Sequence, residues 1–172
     1  AEPHLDRGVE IIFELNLKSK EDISQPVIQR LPEIIHGLRN MIQNAIDFAD
    51  SKVWIILSWS QSDIKIIIND DGPGFPVQMI SRIGDPFVSY RKTSSVRNKQ
   101  IEYEGMGLGL FIAKTLLERT NAKLSFSNGA SGLVDGLGNE GQIGAVVEIS
   151  WARSDIEKKT NLSGGNENLN VF

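Results

Sequence analysis

Three groups of residues have the types and spacing to hold a phosphorylated ligand. Asn40 and Asn44 stand four positions apart, which places both on one face of a helix. A carboxamide oxygen suits Mg²⁺, an ion that keeps several waters and takes few protein ligands beside phosphate oxygens. Asp70 opens the run Asp70-Asp71-Gly72-Pro73-Gly74 at the end of an apolar segment. A carboxylate there can accept from the exocyclic amine of adenine, while Gly72 and Gly74 permit positive φ and close approach of a flat ligand. Gly105, Gly107 and Gly109 lead into a second helical pattern. The first-turn N–H groups of a helix lack partners and attract phosphate. Each group also has a plainer reading: solvated or capping amides, a β-to-helix turn, and a glycine-faced helix packed closely on a sheet. The glycine triplet is neither a Rossmann fingerprint, since it lies late and after a loop, nor a Walker motif, since Gly-Lys-Ser/Thr is missing.

The elements that must position these residues follow from periodicity. Gly8 to Asn16 reads as a first strand, rich in β-branched and aromatic residues. Leu17 to Gln25 reads as a loop. Pro26 and Pro32 frame the entry to a long helix over about Leu31 to Ala49. Projected at 100° per residue, Leu38, Met41, Ile42, Ala45, Phe48 and Ala49 share a core face. His36, Asn40, Gln43, Asn44 and Asp47 share the other, with three carboxamides where Lys and Glu are usual. Val53 to Trp59 and Ile64 to Asn69 read as strands joined by a short turn, and Val77 to Arg82 as a short helix. Val88 to Glu104 lacks a helical apolar period and reads as a mobile loop; its stretch Arg91 to Lys99 holds basic residues and no acidic one. The helix after the glycine triplet ends near Thr120, with Asn121 where a left-handed C-cap is expected. Lys123 to Asn128 and Ile143 to Trp151 read as a final hairpin around a long glycine-rich connection, Gly129 to Gln142. Residues 1–153 are read as one domain, and the polar stretch 154–172 as a disordered tail.

Composition narrows the function classes. The chain has 172 residues, near the ~150 of a single domain. Its 18 basic and 22 acidic residues give a net charge of −4, which argues against a dedicated nucleic-acid binder. There is no cysteine, hence no disulfide, thiolate metal site or cysteine nucleophile. His4 and His36 are too few for a histidine-rich zinc site. No apolar run reaches the ~18 residues of a transmembrane helix. The start, Ala1-Glu2-Pro3-His4, lacks both the pattern of a signal peptide and an initiator Met. A soluble piece of a longer protein, or a processed chain, is the expectation.

Four segments in order, Asn40 to Ala45, Asp70 to Phe75, Gly84 to Phe87 and Gly105 to Leu110, resemble the N, G1, F and G2 boxes of the catalytic ATP-binding domain of sensor histidine kinases. The resemblance covers roughly residues 8 to 151. These domains belong to the gyrase, Hsp90, histidine kinase and MutL superfamily. The resemblance implies an α/β two-layer sandwich of the Bergerat type, a mixed sheet with helices on one face. It implies ATP and Mg²⁺ as cofactors, with Asn44 on the metal and Asn40 on the phosphate side. It further implies Asp70 as acceptor for the adenine amine and Gly72 and Gly74 lining the base pocket. Phe87 would anchor one edge of a lid over about 88–104. Gly105, Gly107, Leu108, Gly109 and Leu110 would form the phosphate-binding G2 segment, and Arg91 and Lys92 are candidate phosphate contacts in the lid. Tyr103 to Lys114 and Gly37 to Ala49 also resemble the redox-responsive RegB/PrrB-type kinases of proteobacteria. The redox cysteine described for some of these has no counterpart here.

The chain departs from the family pattern at Asp47, where many members place Lys, Arg or His; a basic lid residue would have to take over that phosphate contact. The superfamily's ATPases carry a general-base Glu one turn before the magnesium Asn, and Asn40 cannot serve as that base. The resemblance therefore implies phosphoryl transfer to a histidine on a separate dimerisation domain, then relay to a response regulator. His36, inside the helix and beside Gly37, does not fit as the acceptor, nor does His4. The expectation is a monomeric fragment that binds Mg-ATP without efficient self-phosphorylation. The parent would be an inner-membrane sensor with this domain in the cytoplasm. A superfamily ATPase, a serine kinase with the same boxes and a degenerate docking module remain as alternatives.

Overall fold

In the computed structural model of the chain, residues 8–16, 24–83, 106–129 and 144–158 are described. They begin with β1 (Glu10–Leu15), α1 (Pro32–Phe48), β2 (Lys52–Trp59) and β3 (Asp63–Asp70). A short 3-10 helix (Val77–Arg82) follows, then α2 (Met106–Glu118), β4 (Lys123–Asn128), β5 (Ala145–Ala152) and α3 (Arg153–Ile156). The strands form one sheet in the order β1-β2-β3-β5-β4. β1 and β2 are parallel, which requires a crossover, and α1 supplies it. The other neighbours are antiparallel. The sheet is therefore mixed.

α1 starts at Pro32, whose fixed φ suits a first helical turn and whose missing N–H is not needed there. Its buried residues Ile34, Gly37, Met41 and Ala45 form one stripe. Gly37 lies in that stripe because α2 comes close: a Cβ added there would stand 2.6 Å from Leu117 Cγ and 3.3 Å from the Ala113 carbonyl. The two helices then cover one face of the sheet. Val53, Ile55, Ile64, Ile68, Val147, Ile149 and Trp151 meet Met41, Ala45, Leu110, Ala113 and Leu117 in a single core. The alternation of β2, β3 and β5 puts those strand residues on the helix side. β1 lies at the sheet edge, beyond the helices, and Ile11, Phe13 and Leu15 on its helix-side face are 40%, 74% and 68% exposed.

α2 ends as its sequence implies. Asn121 has φ +63°, and the Ala122 N–H donates to the Leu117 carbonyl at 3.2 Å. That bond and the left-handed residue are the features of a Schellman-type stop. Thr120 donates to the same carbonyl at 2.6 Å and accepts from the buried Trp151 Nε1 at 2.9 Å, which ties the helix end to β5.

Ordered structure continues a few residues past 153, where the sequence reading starts its polar tail. Residues 153–156 form α3, and Ile156 is fully buried. Glu157 makes a bridge with Ile28, and the Lys158 N–H donates to the Val27 carbonyl at 2.7 Å. Arg153 pairs with Glu157 at 2.7 Å and donates to the Ser60 carbonyl at 3.1 Å. One apolar residue in a polar stretch is enough to anchor it when the backbone around it also finds partners. Residues 159–172 lie outside the described residues.

Candidate functional site

β3 ends on two adjacent carboxylates whose directions differ because successive strand residues face opposite sides. Asp70, opposite Val53 in the sheet, is 2% exposed. Its Oδ1 accepts from the Gly72 N–H at 2.9 Å and from the Ala145 N–H at 3.2 Å. Both bonds go to one oxygen, so Oδ2 is left outside them. The Asp70 carbonyl accepts from the Gly144 N–H at 2.7 Å. Burial pushes this carboxyl above the ordinary range, the two backbone donors oppose that, and the charges of Asp71 and Asp50 add to it.

Asp71 has a structural task. Its carboxylate accepts from the N–H groups of Asp50, Ser51 and Lys52 at 2.9 Å and from the Ser51 hydroxyl at 2.6 Å. These bonds splice the end of β3 to the α1–β2 connection. Partial burial works against its charge, yet the four donors hold the carboxyl below the ordinary range.

The glycines divide in the same way. Gly74 has φ +76°, a conformation for which glycine is the default residue. Gly72 does not need positive φ; a Cβ there would fall on the Phe48 carbonyl at the end of α1. Close approach is thus required at Gly72 by the protein's own backbone, where the sequence had suggested a flat ligand. Through this contact α1 abuts the Asp70 turn. Asn44 lies one turn before Phe48, about 6 Å along the helix axis. Asn40 and Asn44 are half-exposed on α1, and neither carboxamide has a hydrogen-bond partner among the described residues. On the same helix the Gln43 carboxamide donates to Asp47 at 2.9 Å.

Of the G2 residues, Gly107 and Leu108 stand in the first turns of α2. Gly109 faces open space: an added Cβ would meet nothing within 4 Å. Leu110 is 2% exposed and belongs to the core, so its role is to seat the helix. Gly105, Phe87, Arg91, Lys92 and the lid of 88–104 lie outside the described residues. Among the described residues no group of three or more His, Cys, Asp or Glu could hold a metal, and no helix is long and apolar enough to cross a membrane.

Three contributors escape a reading by motif. Gly144 has no room for a side chain, because a Cβ would press on the Gly72 carbonyl and on Asp70 Oδ1. Ala145 supplies the second N–H to Asp70. Asn128 holds Phe75 from both sides: the Phe75 N–H donates to Asn128 Oδ1, and Asn128 Nδ2 donates to the Phe75 carbonyl, each at 2.7 Å. The available signals were a glycine immediately before an alternating strand and an Asn at a strand end.

Residues 30–154 match the family described as histidine kinase-, DNA gyrase B-, and HSP90-like ATPase. The sensor histidine kinase RegB of Cereibacter sphaeroides is 52% identical over 151 residues, which are 88% of this chain and 33% of RegB. The C4-dicarboxylate transport sensor protein DctB of Pseudomonas aeruginosa is 29% identical over 55% of this chain and 15% of its own length. The chain therefore spans about a third of RegB or less of such relatives. Among solved structures, a nucleotide-free catalytic domain of the histidine kinase ThkA superposes with a TM-score of 0.59 at 20% identity, over 86% of this chain and 80% of that one. Full-length ShkA in complex with AMPPNP gives 0.59 at 19% identity, over 91% and 27%. At these identities the likeness establishes a shared fold.

Proposed function

This chain belongs to the histidine kinase-, DNA gyrase B-, and HSP90-like ATPase family, and from that premise we propose that it is the catalytic ATP-binding domain of a two-component sensor histidine kinase. It binds Mg-ATP and passes the γ-phosphate to a histidine on a dimerisation domain outside this sequence, for relay to a response regulator. The parent is a membrane sensor, with this domain on the cytoplasmic side, and the isolated chain is monomeric.

One observation carries the nucleotide reading: Asp70 is buried, with Oδ1 already held by two backbone N–H groups. Oδ2 takes no part in those two bonds and is the atom left to accept from a ligand. The exocyclic amine of adenine is a suitable donor, and the open backbone around Gly109 leaves room for the phosphates at the start of α2.

The donor set also fits Mg²⁺. Asn44 offers a half-exposed carboxamide oxygen without a described partner, one turn from the base site, and such an ion needs few protein ligands. When bound, it neutralises charge developing on the phosphates. The chain's own residues orient the base through Asp70, seat α2 through Leu110, and leave Asn40 where a hydrolase would need a base. A carboxamide cannot take a proton from water at neutral pH, so transfer to an activated acceptor is favoured over hydrolysis. Asp47, bonded by Gln43, adds negative charge to this helix, so the cation that steadies the γ-phosphate comes from the lid, with Arg91 and Lys92 the first candidates.

Calorimetric titration of ATP, with and without Mg²⁺, tests the site, and radiolabel transfer to a dimerisation domain supplied in trans tests the reaction. Binding that tightens with Mg²⁺, with label on the added domain and little on this chain, is expected. A folded chain that binds no ATP overturns the reading. Steady phosphate release without any acceptor would revive the ATPase.

A further inference from the structure

We infer that Asn128 is a positioning residue for base recognition, acting on Asp70 through a closed ring of side-chain-to-backbone hydrogen bonds and strand pairing. This rests on the nucleotide reading above and names what sets its selectivity for the base.

The ring can be followed bond by bond. Asp70 Oδ1 accepts from Gly72, which fixes the first half of the turn after β3. The second half, Gly74-Phe75, is fixed by Asn128, whose carboxamide meets both the N–H and the carbonyl of Phe75 at 2.7 Å. That pairing copies what a neighbouring strand would do, at a place where β4 has ended. Asn128 is in register with Ala145 in the β4–β5 pair, and the Ala145 N–H returns to Asp70 Oδ1 at 3.2 Å. Gly129 and Gly144 close the same end of the hairpin, with the Gly129 N–H donating to the Gly144 carbonyl at 3.0 Å.

Two further features show that the side chain is fitted. Gly74 takes φ +76°, and a Cβ on it would stand 2.8 Å from Asn128 Oδ1. The turn therefore leaves space for this carboxamide. Phe75 is 2% exposed, with its ring edge-on to Phe126 at 6.0 Å between centroids, so the backbone that Asn128 holds is also anchored from the core. Only a group with one donor and one acceptor at this spacing satisfies both Phe75 atoms, and Asn supplies them. Removing it releases one side of the turn that presents Asp70, and selectivity for a base amine depends on how well that acceptor is held.

The test compares Asn128→Ala, Asn128→Asp and the wild-type chain. The affinities measured are those for ATP and for purine riboside triphosphate, which lacks the exocyclic amine. Amide hydrogen exchange at Gly72 and Ala145 is followed in the chain without nucleotide. Asn128→Ala should lower the ratio of the two affinities about tenfold and speed exchange at both amides. Asn128→Asp keeps the acceptor and loses the donor, so its ratio should fall between. If Asn128→Ala weakens both nucleotides equally, or leaves the two amides as slow as before, the inference is overturned. Should Asn128→Ala not fold, the Asp variant decides alone, and a wild-type ratio in it is refuting. Failure of the wild-type chain to bind ATP would sink the nucleotide reading, while exchange at Gly72 and Ala145 would still report on the ring.

Discussion

Asp70→Asn exchanges one oxygen for one nitrogen, and the structure dictates which way the new amide must face. The two N–H groups of Gly72 and Ala145 both point at Oδ1, so the Asn oxygen is held there and its NH₂ takes the place of Oδ2. A donor then confronts the donor amine of adenine. The loss has two parts: a hydrogen bond to a charged group, about 1.5–3 kcal/mol, and a donor left without a partner, about 1–3 kcal/mol. Together these weaken ATP binding on the order of 10²- to 10⁴-fold. Inosine triphosphate, with a keto oxygen at the same place, should bind the variant better than ATP does.

Stability should move the other way. Burial raises the Asp70 carboxyl above its ordinary value. Its contribution to folding is therefore fully present below the unfolded value, about 3.9, and is lost as pH rises through the folded value. At neutral pH the charge is carried at a cost, so Asp70→Asn should melt no lower than wild type at pH 7. ATP affinity in the wild type should likewise fall as pH drops through that raised value, because the proton would sit on Oδ2. Titration calorimetry with both nucleotides, beside thermal melts at pH 7, is the assay. An Asn variant that binds ATP like wild type, or prefers it to inosine triphosphate, would refute the orientation argument.

Other outcomes follow from neighbouring residues. Asp71→Ala should cost about 1–2 kcal/mol in denaturant unfolding, since it strands three N–H groups near a solvent-exposed surface. The contribution of Asp71, whose carboxyl its four donors lower against partial burial, is present above about pH 3.9 and is lost as pH falls through its folded value. A pH series of melts on wild type and variant measures this. Gly37→Val should destabilise by about 1–3 kcal/mol by forcing α1 off Leu117, and a melt would show it. Phe13→Ser, on the exposed face of β1, should change unfolding free energy by no more than about 0.5 kcal/mol.

Most elements were legible because each strand and helix here carries its own period. The carboxamide face of α1 was visible by projection, and Asn121 announced a left-handed stop that the backbone adopts. Asp70 and Asp71 show where legibility ends. Both are acidic turn residues in a sequence, and only pairing tells which one enters the core and which one splices β3 to β2. Gly72 was read as permitting positive φ and the close approach of a flat ligand, whereas the group that approaches it in the structure is the Phe48 carbonyl, distant along the chain. Gly144 and Asn128 depend entirely on such long-range approach. Ile156 was missed because a single apolar residue makes no period.

The bond from Gly129 to Gly144 also bears on how this protein tolerates change. It joins the two ends of segment 130–143 at a point that sits directly on the Asp70 turn. Lengthening a closed loop is cheap, about 0.6 kcal/mol for each doubling, so relatives or designers can vary what lies between these glycines with little effect on folding. Tension is another matter, because anything that spreads the two ends pulls on Ala145 and Asn128 together. Length is thus nearly neutral at this position and spacing is not, which makes it a natural graft point for a domain whose own ends move apart when it binds its target, with nucleotide affinity as the output.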